Sequence, residues 1–250
     1  MSDVLRLARP ELRGLKPYTP GAYDSGFIRL NANESPWRTP GDPTERGLKN
    51  YPPPRTTALR DRLASYYGIE PEQMLVTRGS SEAIDVLIRG FCAAGRDRIL
   101  ICPPTFDMYR LYAGIQGAGV LGVPQRRTAA GGGFALDPDA VIAALDDTVK
   151  LVFVCSPNNP TGQSTPLAAV ERICEAAAGR ALVVIDEAYH EFADDGHFLD
   201  LRRRFEHVVL LRTLSKFVSL AGVRCGALLA DTALVKFCEN VLPPYTFPTP

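Results

Sequence analysis

The chain has no surplus of either charge: 28 Lys and Arg balance 28 Asp and Glu over 250 residues. A nucleic-acid partner calls for a basic footprint, so that class is not expected. No apolar run approaches the roughly 18 residues that a membrane span takes, so a soluble chain is expected. Cysteine is sparse. The six cysteines, at 92, 102, 155, 174, 225 and 238, form no C-x-x-C pair and no cluster. Most sit in apolar runs, as buried free thiols in a reducing compartment do. Residues 1–13 have no apolar stretch of the kind a secretory leader carries, and a cytoplasmic location is expected. The three histidines, His190, His197 and His207, lack the spacing of a zinc site, so no metal is expected. No G-x-S-x-G is present, which removes the common hydrolase nucleophile turn. Lysine is scarce too: five residues, the other 23 of the 28 basic side chains being arginine.

What is present is a chain that is 46% apolar and long enough to build a core. Residues 1–58 are proline-rich and weakly periodic, ending in Tyr51-Pro52-Pro53-Pro54, and read as an extended arm. From Ala58 the pattern changes. Leu59, Leu63 and Tyr66 recur at helical spacing and Gly68 supplies a stop. Short apolar strands are then predicted at 74–77, 98–102, 119–123, 151–155, 181–185, 208–211 and 226–230. Helices are predicted at 82–93, 106–115, 139–145, 167–178 and 234–242, and residues 129–133 read as a surface loop. Apolar strands alternating with helices imply an α/β fold, a three-layer sandwich around a mainly parallel mixed sheet. In such sheets ligands gather at the carboxyl ends of the strands.

Those ends carry a distinctive set of groups. Gly79-Ser80-Ser81-Glu82 follows the first strand and suits an anion, although taken alone it reads more readily as a serine cap. Phe106 follows the second, Asn158-Asn159-Pro160-Thr161-Gly162 the fourth, Asp186-Glu187-Ala188-Tyr189 the fifth, and Thr213-Leu214-Ser215-Lys216 the sixth, with Arg224 eight residues on. An amine, a carboxylate, a phenol, an amide, an aromatic face and a phosphate cradle are what pyridoxal 5'-phosphate requires. Of the five lysines only Lys216 follows a buried strand with hydroxyls beside it.

At these stretches, together with Leu30–Glu34, Tyr51-Pro52, Cys102–Tyr109 and Leu220–Gly226, the sequence resembles the fold-type-I, class I/II aminotransferases, most specifically the histidinol-phosphate aminotransferase family. The likeness runs from about Leu7 to the last residue. It implies Lys216 as the Schiff-base lysine and proton shuttle, and Asp186 as partner of the pyridinium nitrogen. It implies Asn159 and Tyr189 at the ring oxygen, Phe106 stacked on the ring, and Ser80, Ser81, Thr213, Ser215 and Arg224 at the phosphate. It further implies a homodimer with shared sites, in which Tyr51 reaches the phosphate of the other subunit, Tyr18 contacts substrate across the interface and Asn33 lines the substrate side. The implied reaction moves an amino group between histidinol phosphate and 2-oxoglutarate in histidine biosynthesis. The domain division expected is 1–40 for the arm and substrate-side segment and 41–250 for the cofactor domain. The family's small C-terminal domain, with its substrate arginines, is expected to be missing.

Two other readings share parts of this pattern. Another fold-type-I enzyme, such as a threonine-phosphate decarboxylase, or a catalytically impaired cofactor-binding fragment, would keep the same cofactor residues. A nicotinamide enzyme is suggested by Gly117-Ala118-Gly119-Val120-Leu121-Gly122, which spells G-x-G-x-x-G. Here the run follows a helix and enters a strand, the reverse of the order that fingerprint needs, so a helix cap and turn are expected.

Overall fold

The computed structural model describes residues 3–18, 30–44, 47–128, 132–193 and 198–248. In chain order it contains α1 (Thr57–Tyr67), β1 (Met74–Thr77), α2 (Gly79–Phe91), β2 (Arg98–Ile101), α3 (Met108–Gln116), β3 (Gly119–Gly122), β4 (Arg126–Arg127), β5 (Phe134–Ala135) and α4 (Pro138–Ala143). It continues with β6 (Val149–Cys155), α5 (Leu167–Ala177), β7 (Leu182–Asp186), α6 (Leu199–Arg204), β8 (Val208–Thr213), β9 (Gly226–Leu229) and α7 (Thr232–Val241). Seven strands form one sheet in the order β1-β9-β8-β7-β6-β2-β3. β9 runs antiparallel to both neighbours and the other pairings are parallel, so the sheet is mixed as expected. Two antiparallel neighbours of one strand are parallel to each other, so β1 ends at the same sheet edge as β2, β6, β7 and β8.

Side chains alternate across the pleat and divide the core into two layers. Leu182 and Val184 of β7 face α2, α3 and α7, whereas Val183 and Ile185 face α1, α4, α5 and α6. Apart from the edge strand β3, the strands of this sheet are buried on both faces, which explains their apolar runs. Continuing the alternation puts Asp186 on the α2–α3 side. Gly117 ends α3 in the left-handed conformation before Gly119 opens β3, the cap-and-turn arrangement.

The first part of the arm differs from an extended strap. Residues Asp3–Leu7 and Pro10–Leu12 are 3-10 turns, with Val4 and Ala8 buried in the α2–α7 layer. The Arg9 N–H donates to the Gly90 carbonyl at 3.0 Å, tying this segment to the end of α2. Residues 30–44 and 47–56 contain no helix or strand. Of the glycine-rich loop, residues 129–131 lie outside the described residues, as does His197.

Candidate active site

The strand ends converge on one cavity of about 190 Å³. Ser80, Ser81, Phe106, Asn159, Asp186, Tyr189, Thr213, Ser215, Lys216 and Arg224 all line it, joined by Gly79, Cys155, Ala188 and Ala221. Three residues named from the sequence lie elsewhere in the chain. Tyr51 packs its ring on Tyr245 at 4.7 Å, with its N–H donating to Glu34 Oε1 at 2.6 Å. Tyr18 is 69% exposed, and Asn33 is exposed in the segment after Leu30. A wider cleft of about 390 Å³, lined by Arg78, Arg89 and Tyr112 among others, adjoins the cavity through Ser81 and Arg224.

One end of the cavity is the start of α2. The serine-cap reading does not hold, because the N-cap position is Arg78, whose side chain accepts nothing from the first turn. Ser80 and Ser81 instead lie inside that turn. A helix N-terminus without a side-chain cap presents open N–H donors and a positive partial charge. Cβ positions show how close the surroundings come: one added at Gly79 would meet Arg224 Nη2 at 3.0 Å. The guanidinium therefore stands against the same turn. Thr213 and Ser215 complete the group, their hydroxyls 3.0 Å apart.

The other end is the acid at the tip of β7. Asp186 is 2% exposed, and its Oδ1 accepts from the Ala188 N–H at 3.1 Å while Oδ2 accepts from the Tyr109 hydroxyl at 2.7 Å. Burial pushes its carboxyl above the usual range, opposed by those two donors and by the positive charge of Lys216. Lys216 Nζ lies 5.3 Å from the centre of the Tyr189 ring. The neighbouring acid does different work. Glu187 belongs to the opposite face, where its Oε2 accepts from Arg212 Nε at 2.8 Å and its Oε1 from the Phe198 N–H at 2.8 Å. Arg212 also covers the Tyr67 ring at 5.4 Å, so this pair pins the ends of β7 and β8 to α1.

Between the two ends, the loops after β2 and β6 are tied together. The Asn158 amide donates to the Pro104 carbonyl and to Thr161 Oγ1, both at 2.9 Å, and Thr105 Oγ1 donates to its oxygen at 2.9 Å. This network holds Phe106 and Asn159 at the cavity wall. Sequence reasoning missed Asn158, Tyr109 and Cys155. For Tyr109 a signal existed: a phenol on the buried face of a helix, three residues after Phe106, needs a buried partner.

The residues fit pyridoxal phosphate on chemical grounds. A dianion suits uncapped first-turn donors beside a guanidinium. A buried carboxylate at a cavity wall suits a ring N–H, and the Lys216 amine lines the same cavity. Among the described residues no group of His, Cys, Asp and Glu could hold a metal, and no helix is long and apolar enough to cross a membrane.

Residues 37–250 match the family of class I and II aminotransferases. The histidinol-phosphate aminotransferase of Xylella fastidiosa (strain 9a5c) is 46% identical over 250 residues, 99% of this chain and 68% of that protein. The one from Xanthomonas euvesicatoria is 43% identical over 252 residues, 100% of this chain and 69% of that protein. Among solved structures, N-succinyldiaminopimelate aminotransferase from Mycobacterium tuberculosis superposes with TM-score 0.69 at 26% identity, covering 78% of this chain and 53% of that one. Histidinol-phosphate aminotransferase from Sinorhizobium meliloti, solved with pyridoxal-5'-phosphate, gives TM-score 0.71 over 80% of this chain and 54% of that one. At 22% identity it speaks for the fold alone. This chain thus spans about half the length of those two solved proteins. It belongs to the class I and II aminotransferases, the pyridoxal-phosphate family that includes the histidinol-phosphate aminotransferases.

Proposed function

We propose that the protein works as a histidinol-phosphate aminotransferase, moving an amino group between histidinol phosphate and 2-oxoglutarate in the cytoplasm as a homodimer with shared sites. The observation that carries the chemistry is the single cavity joining Lys216, Asp186 and the open first turn of α2. The substrate assignment rests on the names of relatives 43% and 46% identical to this chain. The compartment rests on six buried, unpaired cysteines.

Bound pyridoxal phosphate supplies an aldehyde for the amine and a ring that draws electron density from the substrate's α-carbon. The chain's own residues do the rest. Lys216 would hold the cofactor by its aldehyde, and its free amine would be the group that carries the substrate's α-proton. Asp186 accepts from the protonated ring nitrogen and so keeps the ring electron-poor. Asn159 and Tyr189 donate to the ring oxygen, and Phe106 covers one ring face. Ser80, Ser81, Thr213, Ser215 and Arg224 hold the phosphate. Tyr18 and Tyr51 serve the site across the subunit boundary, and Asn33 lines its substrate side.

Purified protein given histidinol phosphate and 2-oxoglutarate is expected to form glutamate; no glutamate there, with carbon dioxide released when threonine phosphate is supplied instead, would assign the decarboxylase reading. Lys216→Ala is expected to abolish turnover, by about 10⁴-fold or more, together with the visible absorption of bound cofactor. Normal absorption in that variant would refute the assignment of the lysine.

A further inference from the structure

Tyr109 has no part in the reading above, yet it donates the only side-chain hydrogen bond that Asp186 accepts among the described residues. We propose that Tyr109 is a positioning residue for the cofactor ring: its phenol orients Asp186 so that the proton they share with the ring nitrogen stays on the nitrogen, while its ring edge seats Phe106. This deepens the proposed function and rests on its assignment of Asp186.

Tyr109 is fully buried. Its ring stacks on Phe153 with centroids 4.5 Å apart and 17° between planes, and it meets Phe106 edge-on at 5.6 Å and 86°. The hydroxyl therefore has a fixed direction, and it ends 2.7 Å from Asp186 Oδ2. Three titratable groups surround this carboxylate: Tyr109 from α3, Cys155 from β6 and Lys216 after β8. Burial and the neighbouring acid push the Tyr109 phenol well above its ordinary value, and burial pushes the Cys155 thiol up to about 12. Both stay neutral, so the phenol is a donor to the carboxylate.

A donor to a carboxylate stabilises its charged form. With the phenol present, a proton lying between ring nitrogen and Asp186 is drawn toward the nitrogen. Without it, the buried carboxylate competes for that proton, and the ring accepts electron density less well. Tyr109 thus couples the residue at the ring's edge to the residue at its face, one helical turn after Phe106.

The test uses holoenzyme loaded with pyridoxal phosphate carrying ¹⁵N in the ring. Tyr109→Phe keeps the stacked ring and removes the hydroxyl. The ¹⁵N resonance is expected to move from the protonated toward the unprotonated position, with kcat about tenfold lower and KM little changed. A tyrosine that only fills space would leave the resonance where it is, and that result overturns the proposal. p-Aminophenylalanine at 109, similar in shape and a weaker donor, is expected to move the resonance partway, which preserves a test should the Phe form not fold. Asp186→Ala in the same experiment separates the two claims. If it leaves the resonance protonated, the role of Asp186 fails; if it shifts the resonance and Tyr109→Phe does not, only the role of Tyr109 fails.

Discussion

At Gly226 the close approach of α2 to the sheet is decided by a missing methyl group. A Cβ there would stand 2.6 Å from the Gly79 carbonyl carbon, 2.7 Å from the Ser80 nitrogen and 2.8 Å from the Arg212 oxygen. All three are backbone atoms, so relief requires the first turn of α2 to move off β9. Gly226→Ala is expected to cost about 1–3 kcal/mol in urea denaturation of the cofactor-free protein. It is also expected to weaken cofactor binding in a titration, since the N–H donors assigned to the phosphate would shift. Gly222→Ala is the control, because nothing lies within 4 Å of the added methyl. Cofactor affinity unchanged in Gly226→Ala would remove the first turn from the phosphate site. Arg224 adds a related observation. It holds φ +56°, a left-handed conformation unusual for a residue with a side chain, while its guanidinium sits at the same turn. Backbone strain of this kind gathers where a side chain must be aimed.

Among the elements, the segment leading to Tyr51 is held by one carboxylate. Asp42 Oδ1 accepts from the Thr44 hydroxyl at 2.6 Å and from the Thr44 N–H at 3.0 Å, and Oδ2 accepts from the Leu48 N–H at 2.8 Å. The Thr44 hydroxyl, then the backbone donors, hold its pKa down from 3.8 to about 2. A carboxyl depressed in the fold stabilises it at pH above the ordinary value, and that contribution is lost as pH falls through the folded value. The hold on this segment is therefore expected intact above pH 4 and released toward pH 2. Following the Asp42 carboxyl carbon by NMR should give a midpoint near 2 in the native chain and a higher one in Thr44→Val. Equal midpoints would show that the hydroxyl does not set it.

The strands around the site were legible because burial on both faces turns them into apolar runs, as in residues 151–155 and 182–185. The polar residues after each run could then be lined up by the parallel-sheet rule. Other features gave no such signal. The hairpin of Arg126–Arg127 with Phe134–Ala135 has two residues a side, too few to show alternation. α6, Leu199–Arg204, is six residues ending in three arginines and has no long apolar stripe. The start of α2 falls three residues before the expected Glu82, because Gly79 and two serines read as a loop. Tyr109 and Asp186 are 77 residues apart, and only the folded sheet brings them together.

For the whole molecule, the arm poses a question that one chain does not answer. Leu30 is 90% exposed and Trp37 78%, large apolar surface of a kind that marks an interaction face. Tyr51, 51% exposed, is held firmly by Glu34 and Tyr245 yet lies outside its own chain's cavity. A two-fold dimer that covers the arm and brings Tyr51 to the other subunit's phosphate accounts for both facts. The idea makes a prediction that no single-chain reading shares. Lys216→Ala protein should be inactive and Tyr51→Ala protein weakly active, the second with poorer cofactor affinity. Mixed and allowed to exchange subunits, half the dimers are hybrids. Each hybrid then holds one intact site, built from the Lys216 of one chain and the Tyr51 of the other. Activity should rise to about a quarter of the native value. If Tyr51 served its own chain, every site in the mixture would lack one residue or the other in the same subunit. Mixing would then restore nothing, and sedimentation of the native protein as a monomer would exclude the shared site from the outset.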